Sequence, residues 1–233
     1  MANWQPLENN CELINKYLTD TGLDTTEYEF QDLLSVEDWA QEMIQQPVLG
    51  LLFIYEITHK QEEFRKKEEE VIGAEGQITS NNLFYMKQYA DNACGTVGVF
   101  HILGNLPETH KKLIKADSLL HRFYEKVKGL SPEEAGKVFQ YNEELKEKHV
   151  EASNQGETKV EDHMETDNHF IAFVEKDGYL FELDGRKKRP INHGPTSPQL
   201  FLRDACVAAK VFMDREPENL NAGMIVFAPR QAN

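Results

Sequence analysis

Residues 169–186 read HFIAFVEKDGYLFELDGR, and this stretch decides the fold. Phe170 to Val174 is an apolar strand, and Asp177-Gly178 is the two-residue signal of a tight hairpin turn. Leu180 to Leu183 is the returning strand. A turn at that point sets His169 opposite Arg186 and Ile171 opposite Asp184. His169 and Ile171 then share a face, so His169 and Asp184 are diagonal neighbours. Diagonal partners have Cα atoms roughly 7–8 Å apart, within reach of each other's side chains. A carboxylate beside an imidazole fixes its tautomer and stabilises the imidazolium. Taken alone, the pair also fits a surface histidine that lies near an aspartate by chance.

The surrounding segments supply the other layers. Before the hairpin, residues from Glu147 to Asp167 are polar, contain Gly156 and carry seven acidic residues against two lysines. They read as a long loop of the kind that is usually functional or disordered. Val48 to Tyr55 reads as a buried strand and Gly223 to Ala228 as a final one. Asn10 to Leu18 reads as a short amphipathic helix. Leu113 to Lys128 reads as a helix stopped by Gly129. Ser131-Pro132-Glu133-Glu134 carries the Ser cap, the early Pro and the third-position Glu that open another. Leu202, Ala205, Cys206, Ala209 and Met213 mark a core-facing helix. The charge run from Glu62 to Glu70 reads as a solvated face. This mixture predicts an α+β fold, helices against a mainly antiparallel sheet, in one domain spanning 1–233.

Asp and Glu outnumber Lys and Arg by 40 to 25, a net charge of −15. Such a surface repels nucleic acid and anionic lipid at long range and favours a basic partner. No apolar run approaches the roughly 20 residues that span a bilayer. Cys11, Cys94 and Cys206 are few, far apart and odd in number, with no Cys-x-x-Cys, so neither disulfides nor structural zinc is expected. Reduced thiols predict cytoplasmic, or also nuclear, residence. Neither His-Glu-x-x-His, a P-loop nor Gly-x-Gly-x-x-Gly occurs, so no metal or other cofactor is expected.

Cys94 stands in Asn92-Ala93-Cys94-Gly95-Thr96, among small residues and ahead of an apolar, helix-like stretch. A thiol at a helix N-terminus has its thiolate stabilised by free N–H groups and the macrodipole. Spacing alone leaves both a nucleophile and a buried structural thiol open there. Cys206, on its apolar stripe, reads as structural. Gln88, six positions earlier, could donate to a developing oxyanion or be an ordinary loop residue. Among rival bases, His101 lies about 10.5 Å along a helix axis from Cys94. His163 falls in the long loop, and His193 has no evident acid partner, in an apparent turn, Asn192-His193-Gly194. His59, His110, His121 and His149 sit among charges and are expected to be exposed.

Taken together and in order, these blocks resemble the ubiquitin carboxyl-terminal hydrolases, a papain-like family of cysteine peptidases, in its small single-domain class. The residues that carry the resemblance are Gln88 with Asn92 to Thr96, His169-Phe170-Ile171-Ala172, and Glu182-Leu183-Asp184-Gly185-Arg186-Lys187, continued by Pro190 to Gly194. The resemblance implies a six-stranded sheet flanked by helices with a knotted backbone, a topology that periodicity cannot reveal. It implies that Cys94 is the nucleophile, His169 the general base and acid, Asp184 the orienting carboxylate and Gln88 the oxyanion donor.

It further implies that residues 147–167 form a crossover loop over the cleft, limiting leaving groups to small adducts, short peptides and ubiquitin precursors. Ubiquitin would be contacted by Pro6, Leu7, Glu8, Asn9, Asn10 and Cys11. Further contacts would come from Ala152, Ser153, Asn154, Gln155, Gly156, Glu157, Thr158 and Lys159, and from Asn219, Leu220, Asn221, Ala222, Gly223 and Met224. The expected partner is ubiquitin, with the Nedd-type ubiquitin-like modifier as a second candidate, acted on by a monomer in ubiquitin-dependent protein catabolism. The alternative is a module that binds and stabilises free ubiquitin with little turnover.

Overall fold

The computed structural model describes residue 4, residues 6–154 and residues 167–231. The hairpin forms with β3 (Asn168–Lys176) and β4 (Tyr179–Leu183), which pair antiparallel from Lys176↔Tyr179 to Ala172↔Leu183. Asp177 and Gly178 take φ values of 50° and 81°, the left-handed region that a tight primed turn requires and that Asp and Gly tolerate. Around it stand β1 (Tyr28–Asp32), β2 (Gly50–Glu56), β5 (Ile191–Pro195) and β6 (Ala222–Pro229). The sheet runs β1-β6-β2-β3-β4-β5, and every neighbouring pair is antiparallel.

Alternation along β3 and β4 splits the core in two. Phe170, Ala172, Val174, Phe181 and Leu183 face one cluster with Val97 and Phe100 of α4 (Cys94–Gly104). Ile171, Phe173 and Leu180 face the other, with Ala205, Cys206, Ala209 and Phe212 of α8 (Phe201–Arg215). The α4 helix is buried all round between the sheet and the helices beyond it. Its close approach to β2 depends on glycine. A Cβ at Gly98 would lie 2.5 Å from Leu52, and one at Gly50 would lie 2.4 Å from Ile102.

The remaining helices are α1 (Cys11–Thr21), α2 (Asp38–Gln41), α3 (His59–Glu75), α5 (Leu119–Val127), α6 (Pro132–Gln140) and α7 (Glu143–Ser153). Asn10 caps α1 by accepting from Glu12 and Leu13. Ser131 and Glu134 close the full capping box of α6. The Asn15 amide donates to the Phe30 carbonyl and accepts from the Phe30 N–H, covering an edge that β1 would otherwise expose.

Three expectations need correction. The helix expected from Leu113 begins only at Leu119, because Asp117 is left-handed at φ 59° and Ser118 caps from outside the helix. Leu113 instead ends a 3₁₀ segment, Glu108–Leu113, and Ile114 pairs with Leu23. The apparent turn at Asn192 to Gly194 is strand β5, where pairing with β4 overrides local turn preference. The expected long loop does not begin at Glu147, since residues up to Ser153 continue α7, with Leu145, His149 and Ala152 on a buried stripe. Residues 155–166 of that loop lie outside the described residues.

The α6 helix also fixes the segment that leads to Gln88. Lys87 N–H donates to Pro132, and a Cβ at Gly136 would lie 2.1 Å from the Lys87 carbonyl oxygen. Backbone cannot yield there cheaply. Gly136→Ala should therefore lower stability by about 1–3 kcal/mol, the usual cost of overpacking, in urea denaturation. Unchanged stability would show that α6 is free to shift.

Candidate active site

Cys94 is the first residue of α4, after Asn92 at φ 61° and an N-cap, Ala93, that offers no side-chain acceptor. The first-turn N–H groups are thus free of a side-chain cap at the thiol. Burial opposes ionisation most strongly at Cys94. The hydrogen bond and charge of His169, with the backbone N–H groups of Phe170 and Gly95, outweigh it and hold the thiol below its ordinary value. The other cysteines move the opposite way. Burial and Asp32 push Cys11 far up, and burial raises Cys206 to about 12.

His169 stands near the start of β3, in register with Tyr55 of β2. Its Nε2 lies 2.8 Å from Asp184 Oδ1, and both residues are buried. That bond leaves Nδ1 to face the thiol. Burial pulls the imidazolium down, but the charge and hydrogen bond of Asp184, with those of Cys94, raise it to about 10. Asp184 is held well below the usual carboxylate range. Burial works against that, and His169, the Arg186 backbone N–H and Lys187 overcome it. The Arg186 N–H donates to Oδ1 at 2.9 Å. The opposite directions at Cys94 and His169 each favour the charged form beside its partner.

Gln88 is placed by its backbone. Its N–H donates to Gly185, next to Asp184, at 3.0 Å, and a Cβ at Gly185 would lie 2.9 Å from that of Gln88. Its Nε2 donates to Ala90 at 3.1 Å, which leaves the second amide hydrogen for another acceptor. Gln88, Cys94 and His169 line one open cleft of about 500 Å³.

Pro6, Leu7, Glu8, Asn9 and Ser153, among the expected ubiquitin contacts, also line this cleft. Others do not. Cys11 is half-buried and faces Asp32, while Asn10 serves as a cap. Ala152 and Met224, also expected as ubiquitin contacts, are buried, each packed into one of the two core clusters. Asn219 and Asn221 hold Glu56 Oε2 at 2.9 and 2.8 Å, leaving Leu220 exposed between them. Ala222 is half-buried against the α8-side core, and Gly223 packs beside Asn9. Asn154 caps the end of α7, and Gln155 to Lys159 fall outside the described residues.

The histidines need correction too. His149 is buried, with Nδ1 2.8 Å from Thr96 Oγ1 on α4, while His110 and His121 are half-buried and only His59 of that group is exposed. His193 has an acid partner after all, Glu182 at 2.9 Å. The run from Glu62 to Glu70 is not simply solvated. On α3, Glu62, Glu68 and Glu69 pair with Arg186, Lys187 and Arg189, in the turn that follows Asp184. Sequence reading also missed Asp91, Asp167 and Arg186 as cleft residues. The proximity of Arg186 to Asp184 in the chain was the available signal.

Residues 4–214 match the family described as ubiquitin carboxyl-terminal hydrolase, family 1. Ubiquitin carboxyl-terminal hydrolase 3 of Arabidopsis thaliana is 36% identical over 227 residues, covering 97% of this chain and 94% of that protein. A Drosophila melanogaster ubiquitin carboxyl-terminal hydrolase is 35% identical over 231 residues, covering 99% and 100%. The chain also superposes on the catalytic domain of Trichinella spiralis UCH37, crystallised bound to ubiquitin vinyl methyl ester. That match has a TM-score of 0.75 at 15% identity and covers 98% of this chain and 96% of that one. At that identity the likeness concerns fold.

Proposed function

The chain belongs to family 1 of the ubiquitin carboxyl-terminal hydrolases, a family of cysteine peptidases, and from that premise we propose that it cleaves the bond after the C-terminal glycine of ubiquitin, with Cys94 as nucleophile. The observation that carries the assignment is the buried Asp184–His169 pair, 2.8 Å apart, set against a thiol held below its ordinary pKa at a helix N-terminus.

The Cys94 thiolate attacks the glycine carbonyl carbon. Its oxygen becomes an oxyanion held by the Cys94 N–H and the Gln88 amide. His169 gives its Nδ1 proton to the leaving amine or thiol, and the carbon–heteroatom bond breaks to leave a thioester. Water then attacks this thioester while His169 takes its proton, and the carboxylate departs from a restored thiolate–imidazolium pair. Asp184 holds the ring throughout. Because one Gln88 hydrogen remains for the oxyanion, Gln88→Ala should lower kcat by about 10²–10³ with little change in KM. An equal loss in KM alone would make Gln88 a binding residue.

The cleft supports a basic, slender substrate segment. Glu8, Asp91 and Asp167 line it, and a basic C-terminal tail ending in Gly-Gly suits that charge and width. Ser153 and Asp167 both line it, and a cleft of this modest volume suits small adducts, peptides and precursors over large folded conjugates. The test is release of a fluorescent amine from ubiquitin and from the Nedd-type modifier, in burst and steady state. Turnover of the ubiquitin substrate supports this reading. Tight ubiquitin binding without turnover would instead make the protein a ubiquitin-stabilising module.

A further inference from the structure

Two carboxylates, not one, lie buried on the sheet face that carries His169. Glu182 and Asp184 are both fully buried on β4 and the residue just after it, and they point the same way because strand residues two apart share a face. Strand geometry puts their Cα atoms about 7 Å apart. An uncompensated second anion there would compete with Asp184 for the charge of His169.

Lys187 lies against that second anion. Its residue is 5% exposed, and its ammonium sits 2.6 Å from Glu182 and 2.5 Å from Glu68 of α3. The other Glu182 oxygen meets His193 on β5 at 2.9 Å. The main chain of Lys187 closes the turn. Its N–H donates to the Asp184 carbonyl at 2.9 Å, and its own carbonyl accepts from Lys87 and from the Tyr85 hydroxyl. Tyr85 also reaches the Asp184 carbonyl at 2.7 Å. The α3 helix that supplies Glu68 is itself fixed to α8, with Gln61 donating to Phe212 and Arg215 stacked on Phe64.

We propose that Lys187 is a positioning residue for the triad: its ammonium neutralises Glu182, so that Asp184 alone pairs with His169. This inference rests on the assignment of Cys94, His169 and Asp184 above. Other charged and titratable groups facing the pair are Tyr55 from β2, Glu62 and Arg65 from α3, His101 from α4, Arg215 from α8, and Tyr85, Lys87 and Arg186 around the turn. Lys187 is nearly fully buried and, unlike these, contacts Glu182 directly as a cation.

The test is the pH profile of Cys94 alkylation by iodoacetamide, with Tm measured beside it. Lys187→Met removes a positive charge, which disfavours the thiolate and favours the imidazolium, so both limbs move up by about half a pH unit or more. Glu182→Gln removes a negative charge, and both limbs move down by a similar amount. The double variant carries both neutral side chains, and its limbs return to wild type while KM for the ubiquitin amide stays unchanged in all three. If Lys187→Met does not fold, the down-shift in Glu182→Gln and its cancellation in the double variant carry the same content. Limbs that stay fixed in the folded variants while Tm falls would overturn the inference and leave Lys187 structural. A wild-type Cys94 that resists alkylation at every pH would overturn the triad assignment, and this inference with it.

Discussion

Cys94→Ala abolishes release of amine from the C-terminus of ubiquitin, lowering kcat/KM by about 10⁴-fold or more, on the scale found when a triad nucleophile is removed. The residual rate comes from binding and the oxyanion donors, because no other thiol lines the cleft among the described residues. The other two thiols cannot substitute. Cys11 faces Asp32 and is pushed far up, and Cys206 is buried on α8 and raised to about 12. The substitution removes one sulfur from a half-buried helix start, so the fold and the cleft persist. Titration calorimetry should therefore give ubiquitin affinity within about threefold of wild type. Retained turnover in the variant would remove Cys94 from the mechanism.

His169→Gln is the second large effect, with kcat expected to fall by about 10³–10⁴. His169 has two duties, and the variant separates them. As a base and acid it moves a proton in each half-reaction, which an amide cannot do. As a cation it is the main reason the Cys94 thiol lies below its ordinary value despite burial. Without it, burial dominates. The acid limb of Cys94 alkylation should then rise to the ordinary thiol range near 8.5 or beyond. Asp184 also loses its charged partner while fully buried, so the variant should bind a proton at Asp184 at higher pH than wild type. A normal alkylation profile in a slow His169→Gln variant would assign the low thiol pKa to the helix N-terminus instead.

The chain shows plainly how far local signals reach. The hairpin was legible because every determinant is local, namely two alternating strands and an Asp-Gly turn at left-handed φ. Its diagonal geometry placed His169 beside Asp184, which the 2.8 Å contact bears out. The capping box at Ser131 and the stripe of α8 were legible for the same reason. What failed depends on distant partners. The Asn192 to Gly194 segment carries turn residues, yet pairing with β4 makes it a strand. His149 is flanked by charges, but Leu145 and Ala152 share its stripe and carry it into the core. The acidic run on α3 looked solvated because its cations lie far along the chain, with Lys187 separated from Glu68 by 119 positions. The order β1-β6-β2-β3 joins strands far apart in sequence, and no periodicity encodes that.

The most direct test of the central claim is a covalent one. The protein is incubated with ubiquitin carrying a C-terminal vinyl methyl ester, and the adduct is digested and mapped by mass spectrometry. The account predicts one stoichiometric adduct on Cys94, lost in Cys94→Ala and formed slowly in His169→Gln. An adduct on Cys11 or Cys206, or none on a protein that binds ubiquitin, would contradict it.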